Sequence, residues 1–242
     1  MSFSGMVKEE LSKQTSTARH CNIAETAALL SACGKMTARK TLRMQTENSA
    51  VIRKYFTLLK KTFNIETEIA VRESRQMKKG HVYYVELVDE QQIRTLLLGA
   101  KLSVDRADGA ALCLENSLIT QQTCCKRAFI RGAFLASGSM SDPEKGYHFE
   151  IVCPDERKAG QLQTLIRSFH IDAKVVQRKK SYVVYVKEGA QIVDMLAVME
   201  ANVALMNLEN IRILKEMRNS VNRKVNCEMA NINKTVNAAV KQ

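Results

Sequence analysis

Basic residues gather at three short stretches of this chain: Arg39-Lys40, Arg72 with Arg75, Lys78 and Lys79, and Arg178-Lys179-Lys180. Each interrupts apolar alternation as a hairpin turn would, so the charges would project together, toward a phosphate backbone or simply into water. A fourth group, Arg218, Asn222, Arg223 and Lys224, lies in a C-terminal segment, residues 209–242, with seven Lys or Arg against three Glu. Asn219, Asn222, Asn226, Asn231, Asn233 and Asn237 punctuate that segment. Asn is a poor helix-interior residue, so its recurrence predicts caps, turns or hydrogen-bonded contacts. Those contacts would be with phosphates and base edges, or within a connector that caps itself.

Over 242 residues the formal charge is +12 and the pI about 9.4, which favours an anionic partner. Nucleic acid precedes membrane, because no apolar run spans a bilayer and no basic segment carries a large apolar face. Seven cysteines, Cys21, Cys33, Cys113, Cys124, Cys125, Cys153 and Cys227, show neither CxxC pairs nor the His spacing of zinc sites. A reduced, cytoplasmic chain with no metal or cofactor is expected. Vicinal Cys124-Cys125 suits a redox pair, but a structural helix position suits it better.

The elements that would position these residues come from a repeat. Cys125, Ala128, Phe129, Gly132, Ala133 and Ala136 recur at helical spacing, and the helix would close at Gly138 in the left-handed C′ position. Ala128, Gly132 and Ala136 form a small-residue face that admits a close backbone. Lying 104 positions upstream, Ala24, Ala28 and Ala32 match them, Gly34 matches Gly138, and Met36 matches Met140. Both copies continue as hairpin, second helix, second hairpin and third helix. Met6–Leu11 reads as a leading helix, and Leu112 and Leu114 alternate as a strand inside the segment joining the halves.

Two αββαββα units opened by small-faced helices resemble the LAGLIDADG homing-endonuclease fold. The stretches RGAFLASGSMSDPEKGYHFEI and MRNSVNRKVNCEMANINKTV, with the opening MSF and KEEL, resemble the WhiA family of bacterial regulators across essentially the whole chain. The expected fold class is α+β: two tandem LAGLIDADG-like repeats packed through their first helices, plus a helical C-terminal extension. The divisions expected are a lead over 1–20, repeats over 21–100 and 123–205, a linker over 101–122, and a helical connector over 206–242 that begins a helix-turn-helix domain. One candidate helix, Ala230–Lys241, precedes the last residue, so a complete helix-turn-helix is not expected within the chain.

In active enzymes of that fold, each motif helix ends in an acid just before its glycine, and the two carboxylates share divalent metal over the scissile phosphates. Mg²⁺ requires hard oxygen ligands. Here the equivalent positions are Cys33 and Ser137, and the other acidic motif position falls at Ser31 and Leu135. Asp142 and Glu144 belong to a turn, and Glu25 has no counterpart, so no symmetric metal site is expected and no nuclease. The resemblance implies a non-catalytic regulator binding double-stranded DNA, nucleoid-associated, with roles in sporulation-linked transcription, cell division and chromosome segregation. A protein-interaction module is the other reading, its partner another regulatory protein or the chain's own following domain. A monomer is expected, because the repeat supplies the helix pair internally. On the sheet face away from the helices, Arg43, Gln45, His148, Lys174, Arg178 and Lys180 are expected beside Glu66, Glu68, Glu86 and Glu150, a mixture of signs.

Overall fold

The computed structural model describes residues 2–73, 81–105, 111–114 and 117–240. The order is α1 (Phe3–Lys13), α2 (Arg19–Cys33), β1 (Gly34–Met36), β2 (Leu42–Thr46), α3 (Ser49–Leu58, widening into a π turn to Phe63), β3 (Ala70–Glu73), β4 (His81–Leu87) and α4 (Glu90–Gly99). A hairpin follows, β5 (Leu102–Asp105) and β6 (Ala111–Leu114). The second copy is α5 (Thr123–Ser137), β7 (Gly138–Met140), β8 (Phe149–Cys153), α6 (Glu156–Arg167), β9 (Lys174–Arg178), β10 (Ser181–Val186) and α7 (Gly189–Met199), and α8 (Asn202–Val240) closes the chain.

Helices α2 and α5 are parallel neighbours. At one end the His20 ring nitrogen Nδ1 is 3.1 Å from Cys125 Sγ; at the other, Cys33 Sγ is 3.8 Å from the Ala136 carbonyl. The small residues allow this approach. A Cβ at Gly132 would lie 2.6 Å from the Glu25 carbonyl oxygen and 2.9 Å from Ala28 Cβ, so no side chain fits there. Ala24, Ala28 and Ala128 are buried along the seam, while Ala32 and Ala136 are half-buried where it opens.

The closing glycines differ from expectation. Gly34 and Gly138 are extended, with φ −86° and −78°, rather than left-handed. Their requirement is steric: a Cβ at Gly138 would fall 2.2 Å from the Phe134 ring, and one at Gly34 would fall 2.6 Å from the Leu30 carbonyl oxygen. Each helix therefore passes directly into a strand.

Each motif helix opens one antiparallel sheet. The first has order β3-β4-β2-β1-β6-β5 and the second β7-β8-β10-β9. The joining segment is part of the first sheet, since Ala111 pairs with Lys35 and Leu102–Asp105 pairs with Ala111–Leu114. Strand alternation buries Leu42, Met44, Val85, Phe149, Ile151 and Val184 under the helices and leaves the other face of each sheet open. Asn64 turns left-handed at φ 55° after the π turn, and pairing starts only at Ala70. Local caps fix the second helices: Asn48 Oδ1 accepts from the Ala50 and Val51 N–H groups, and Asp155 Oδ1 accepts from Lys158 N–H.

Helix α8 corrects the reading of the asparagines. They interrupt nothing: one 39-residue helix runs through all of them. Glu10 of α1 accepts hydrogen bonds from the Val203 and Ala204 N–H groups at 2.8 and 3.0 Å, satisfying donors of the first turn. Ala204 and Leu208 are buried, and Lys215 donates to the Pro143 carbonyl in the β7–β8 turn. From Glu216 onward every described side chain is exposed, so an Asn costs only its modest propensity.

Candidate nucleic-acid interface

The degenerate motif positions meet at the C-terminal end of the helix pair. Ser137 Oγ turns back to the Ala133 carbonyl at 3.4 Å, Leu135 is fully buried, and the Ser31 carbonyl accepts from Lys158 Nζ at 3.0 Å. Burial pushes the Cys33 thiol up to about 11, only partly offset by the Lys8 ammonium nearby, so it is protonated at neutral pH. A neutral thiol, a hydroxyl and an ammonium make a poor seat for Mg²⁺.

The nearby acids are occupied elsewhere. Asp142 Oδ1 accepts from Glu144 N–H within the turn. Glu25 is fully buried at the middle of the seam and faces two cations: Lys54 Nζ at 3.2 Å and Arg131 Nε at 3.2 Å. Arg131 continues to Glu200 at 2.7 Å, and Lys54 also donates to the Gln14 carbonyl. Burial works against the Arg131 charge, but Glu25 and then Glu200 raise its pKa above the usual value; burial lowers that of Lys54. Sequence reading weighed Glu25 as a metal ligand and missed Arg131 and Lys54; the three residues lie on three different helices, α2, α5 and α3, and share no local pattern.

The open sheet faces carry the basic candidates unequally. In the first sheet Arg43 is neutralised: it donates to Glu86 at 2.8 Å and lies over the Tyr84 ring at 5.0 Å. The Thr41 hydroxyl, then Arg43, hold the Glu86 carboxyl below its usual range. Arg39 and Lys40 are exposed at the β1–β2 turn, Lys40 at φ 60°, and Arg72 is exposed on β3. Arg75, Lys78 and Lys79 lie outside the described residues. Glu66 pairs with Lys60 at 3.5 Å.

In the second sheet Arg178 is 4.0 Å from Glu150, which is also bonded to His148 at 3.0 Å, and Lys174 is 3.8 Å from Asp172. Lys179, at φ 57°, and Lys180 form the exposed β9–β10 tip. Among the described residues, Lys40, Lys179 and Lys180 have no ion-pair partner. The alternation that exposes Lys174 and Arg178 also places Tyr185 and Lys187 on this face; Tyr185 stacks near His148 at 6.2 Å, with Lys187 over its ring at 5.3 Å. These two went unnoticed in the sequence, although strand parity could have found them. Arg218, Asn222, Arg223 and Lys224 are exposed on α8, apart from both sheets along a bare helix. No helix among the described residues is long and apolar enough to cross a membrane.

Residues 19–103 match the WhiA N-terminal LAGLIDADG-like domain, and residues 126–218 match the WhiA LAGLIDADG-like domain. A relative described as probable cell division protein WhiA, from Lachnoclostridium phytofermentans, is 58% identical over 246 residues, covering 100% of this chain and 79% of that protein. Its namesake from Alkaliphilus oremlandii is 43% identical over 248 residues, covering 100% of this chain and 78% of that protein. Among solved structures, full-length DUF199/WhiA from Thermatoga maritima aligns at TM-score 0.74 and 22% identity, covering 98% of this chain and 75% of that one. The homing endonuclease I-DmoI, in complex with DNA and Mn, aligns at TM-score 0.50 and 8% identity, covering 75% of this chain and 97% of that one. The paired small-faced helices, the two sheets they open and 58% and 43% identity over the whole of this chain to named relatives together place it in the WhiA family of LAGLIDADG-like cell division proteins.

Proposed function

We propose that this protein is a non-catalytic, DNA-binding regulator of the WhiA type, acting in sporulation-linked transcription, cell division and chromosome segregation. One observation carries the reading: the fold of a DNA-cutting enzyme is kept, with open sheet faces and cationic hairpin tips, while Ser31, Cys33, Leu135 and Ser137 stand where the metal-binding acids belong. Backbone phosphates would be held by Lys40 and Arg39 on one repeat and by Arg178, Lys179 and Lys180 on the other. Arg218, Arg223 and Lys224 of α8 would add further contacts. Lys174 and Arg178 share their face with carboxylates, so they contribute less than their number suggests. Base selectivity does not follow from phosphate contacts.

The test is a fluorescence-anisotropy titration of a mixed-sequence duplex in EDTA across a salt series. About six phosphate contacts give a log-log slope near −5. Binding should survive EDTA, and a supercoiled plasmid should stay intact in Mg²⁺ or Mn²⁺. Cleavage abolished by Glu144→Gln would overturn the non-catalytic assignment.

A second reading has its own support. Leu214, Met217, Val221, Val225, Met229, Ile232 and Val236 follow one another along α8 at spacings of three and four, all at least 49% exposed. Such a stripe corrects the expectation that no basic segment carries a large apolar face, and is a helix face made for covering, by a regulatory protein or by a following domain of the same chain. Absence of duplex binding at low salt, or binding left unchanged by charge reversal at Lys179 and Lys180, would favour this role over DNA binding by the two sheets.

A further inference from the structure

At the end of the helix pair opposite Cys33 and Ser137, four soft ligands converge. His20 and Cys21 are the second and third residues of α2; Cys124 and Cys125 are the second and third of α5. The offset is the 104 residues that separate Ala24 from Ala128, so the internal symmetry that packs alanine on alanine sets one pair of ligands against the other. Nδ1 of His20 and the three Sγ atoms all lie within 4.8 Å of one another.

The distances match a tetrahedral metal. His20 Nδ1 lies 3.1 Å from Cys125 Sγ, 3.4 Å from Cys21 Sγ and 4.0 Å from Cys124 Sγ. With Zn–N and Zn–S bonds of about 2.0 and 2.3 Å, a tetrahedral site separates nitrogen from sulfur by about 3.5 Å, in the middle of those three values. Cys124 Sγ has a second partner, donating to Gln122 Oε1 at 3.6 Å, but a single imidazole nitrogen cannot satisfy the Cys21 and Cys125 thiols at once.

The electrostatics agree. Three thiolates and a neutral imidazole around a divalent cation carry a net charge of −1. That charge would sit in the first turns of two parallel helices, where unpaired N–H groups and the helix dipoles favour anions and thiolates. Access exists from one side: Cys21 and Cys125 are buried, His20 and Cys124 are exposed, and an open cleft lined by Ser16, Cys21, Cys124 and Arg131 reaches the site.

We propose that His20, Cys21, Cys124 and Cys125 form a Cys₃His site for zinc that ties the two repeats together at the N-terminal end of the helix pair. Four protein ligands leave no open position for water, so the role is structural rather than hydrolytic. A sequence scan for CxxC or local His spacing misses such a site, because each half supplies only two adjacent ligands.

The experiment uses the full chain, stripped of metal with a chelator under reducing conditions and titrated with Co²⁺ and then Zn²⁺. One equivalent of Co²⁺ should produce the intense visible and near-ultraviolet thiolate bands of a tetrahedral S₃N site, Zn²⁺ should displace it, and the zinc form should melt higher. His20→Ala and Cys124→Ser, both at exposed positions, should each weaken Co²⁺ binding roughly tenfold to a hundredfold or more. Cys227→Ser, on the exposed face of α8, should change nothing. The assignment is overturned if stoichiometric Co²⁺ gives no thiolate band in the parent, or if the band survives in the His20→Ala/Cys124→Ser double variant. It is also overturned if intact mass shows a Cys21–Cys125 disulfide forming in air in protein pre-loaded with zinc.

Discussion

At one end of the α2–α5 pair the residues related by the repeat are Cys33 with Ser137 and Ser31 with Leu135; at the other they are His20 with Cys124 and Cys21 with Cys125. The first end holds a neutral thiol, a hydroxyl turned onto its own helix and a buried leucine, with no shared ligand chemistry. The second holds four groups that bind soft metals. Between them the seam is the same close contact of small residues. The lesson is that the fold needs only the middle. Once backbone meets backbone at Gly132, the ends are brought together regardless of what they carry, and each can lose or gain a function without disturbing the packing.

The middle is where substitution should cost most, and the largest effect is expected from Glu25. Glu25→Gln keeps the volume but leaves Lys54 without a counter-ion and Arg131 dependent on half-exposed Glu200. Breaking a buried pair by removing one partner costs about 3–5 kcal/mol, which guanidinium denaturation would read directly. A loss below about 1 kcal/mol would mean that water reaches the two cations. Next comes Gly132→Leu, which must push aside the Glu25 backbone and Ala28. Overpacking of this kind costs about 1–3 kcal/mol or more. Ala136→Leu, where the seam opens, should cost clearly less; equal losses would show that the pair is packed as tightly at its end as at its centre.

Much of this was legible in the sequence, for physical reasons. A duplicated run of small residues at helical spacing has few uses besides close helix packing, so the repeat, the paired helices and the order of hairpins followed from Ala24 to Ala136. Strand parity likewise placed Arg43, Gln45, Lys174 and Arg178 on the open faces. What escaped was whatever depended on partners distant in sequence. Gly138 looked like a left-handed cap because that is the commonest local reason for such a glycine, whereas its cause is the Phe134 ring. Glu86 was expected on the same face as Arg43, but the register that sets the two directly opposite, 2.8 Å apart, depends on how β2 pairs with β4. The asparagines of α8 looked like breaks, but on an exposed helix anchored by Glu10 each costs only a few tenths of a kcal/mol.

The sheets offer a smaller contrast. Lys179→Glu/Lys180→Glu reverses two charges at one tip that no described residue pairs, and should weaken duplex binding and shallow the log-log salt slope by about 2. Arg43→Ala, already neutralised by Glu86, should leave the slope within about 0.5 of the parent. Comparable slopes for both variants would show that Glu86 releases Arg43 when DNA is present.

The smallest effect at neutral pH belongs to the inert end of the seam. Cys33→Ser removes a long, weak contact to the Ala136 carbonyl and should change stability by no more than about 0.5 kcal/mol at pH 7. The difference should then depend on pH. Burial raises the Cys33 thiol from its ordinary 9.0 to about 11, so between those values the folded chain holds a proton that the unfolded chain releases. Protons bound by the native state and not by the unfolded state make stability fall with rising pH. The parent should therefore lose ground to the serine variant only above about pH 9, increasingly toward 11. Lys8 beside it is lowered by burial and shifts the absolute curves in the opposite sense. Because Lys8 is present in both proteins, subtracting the two curves isolates the thiol to first order. A difference that stays flat to pH 11 would mean that Cys33 ionises freely, and that this end of the helix pair is open to solvent.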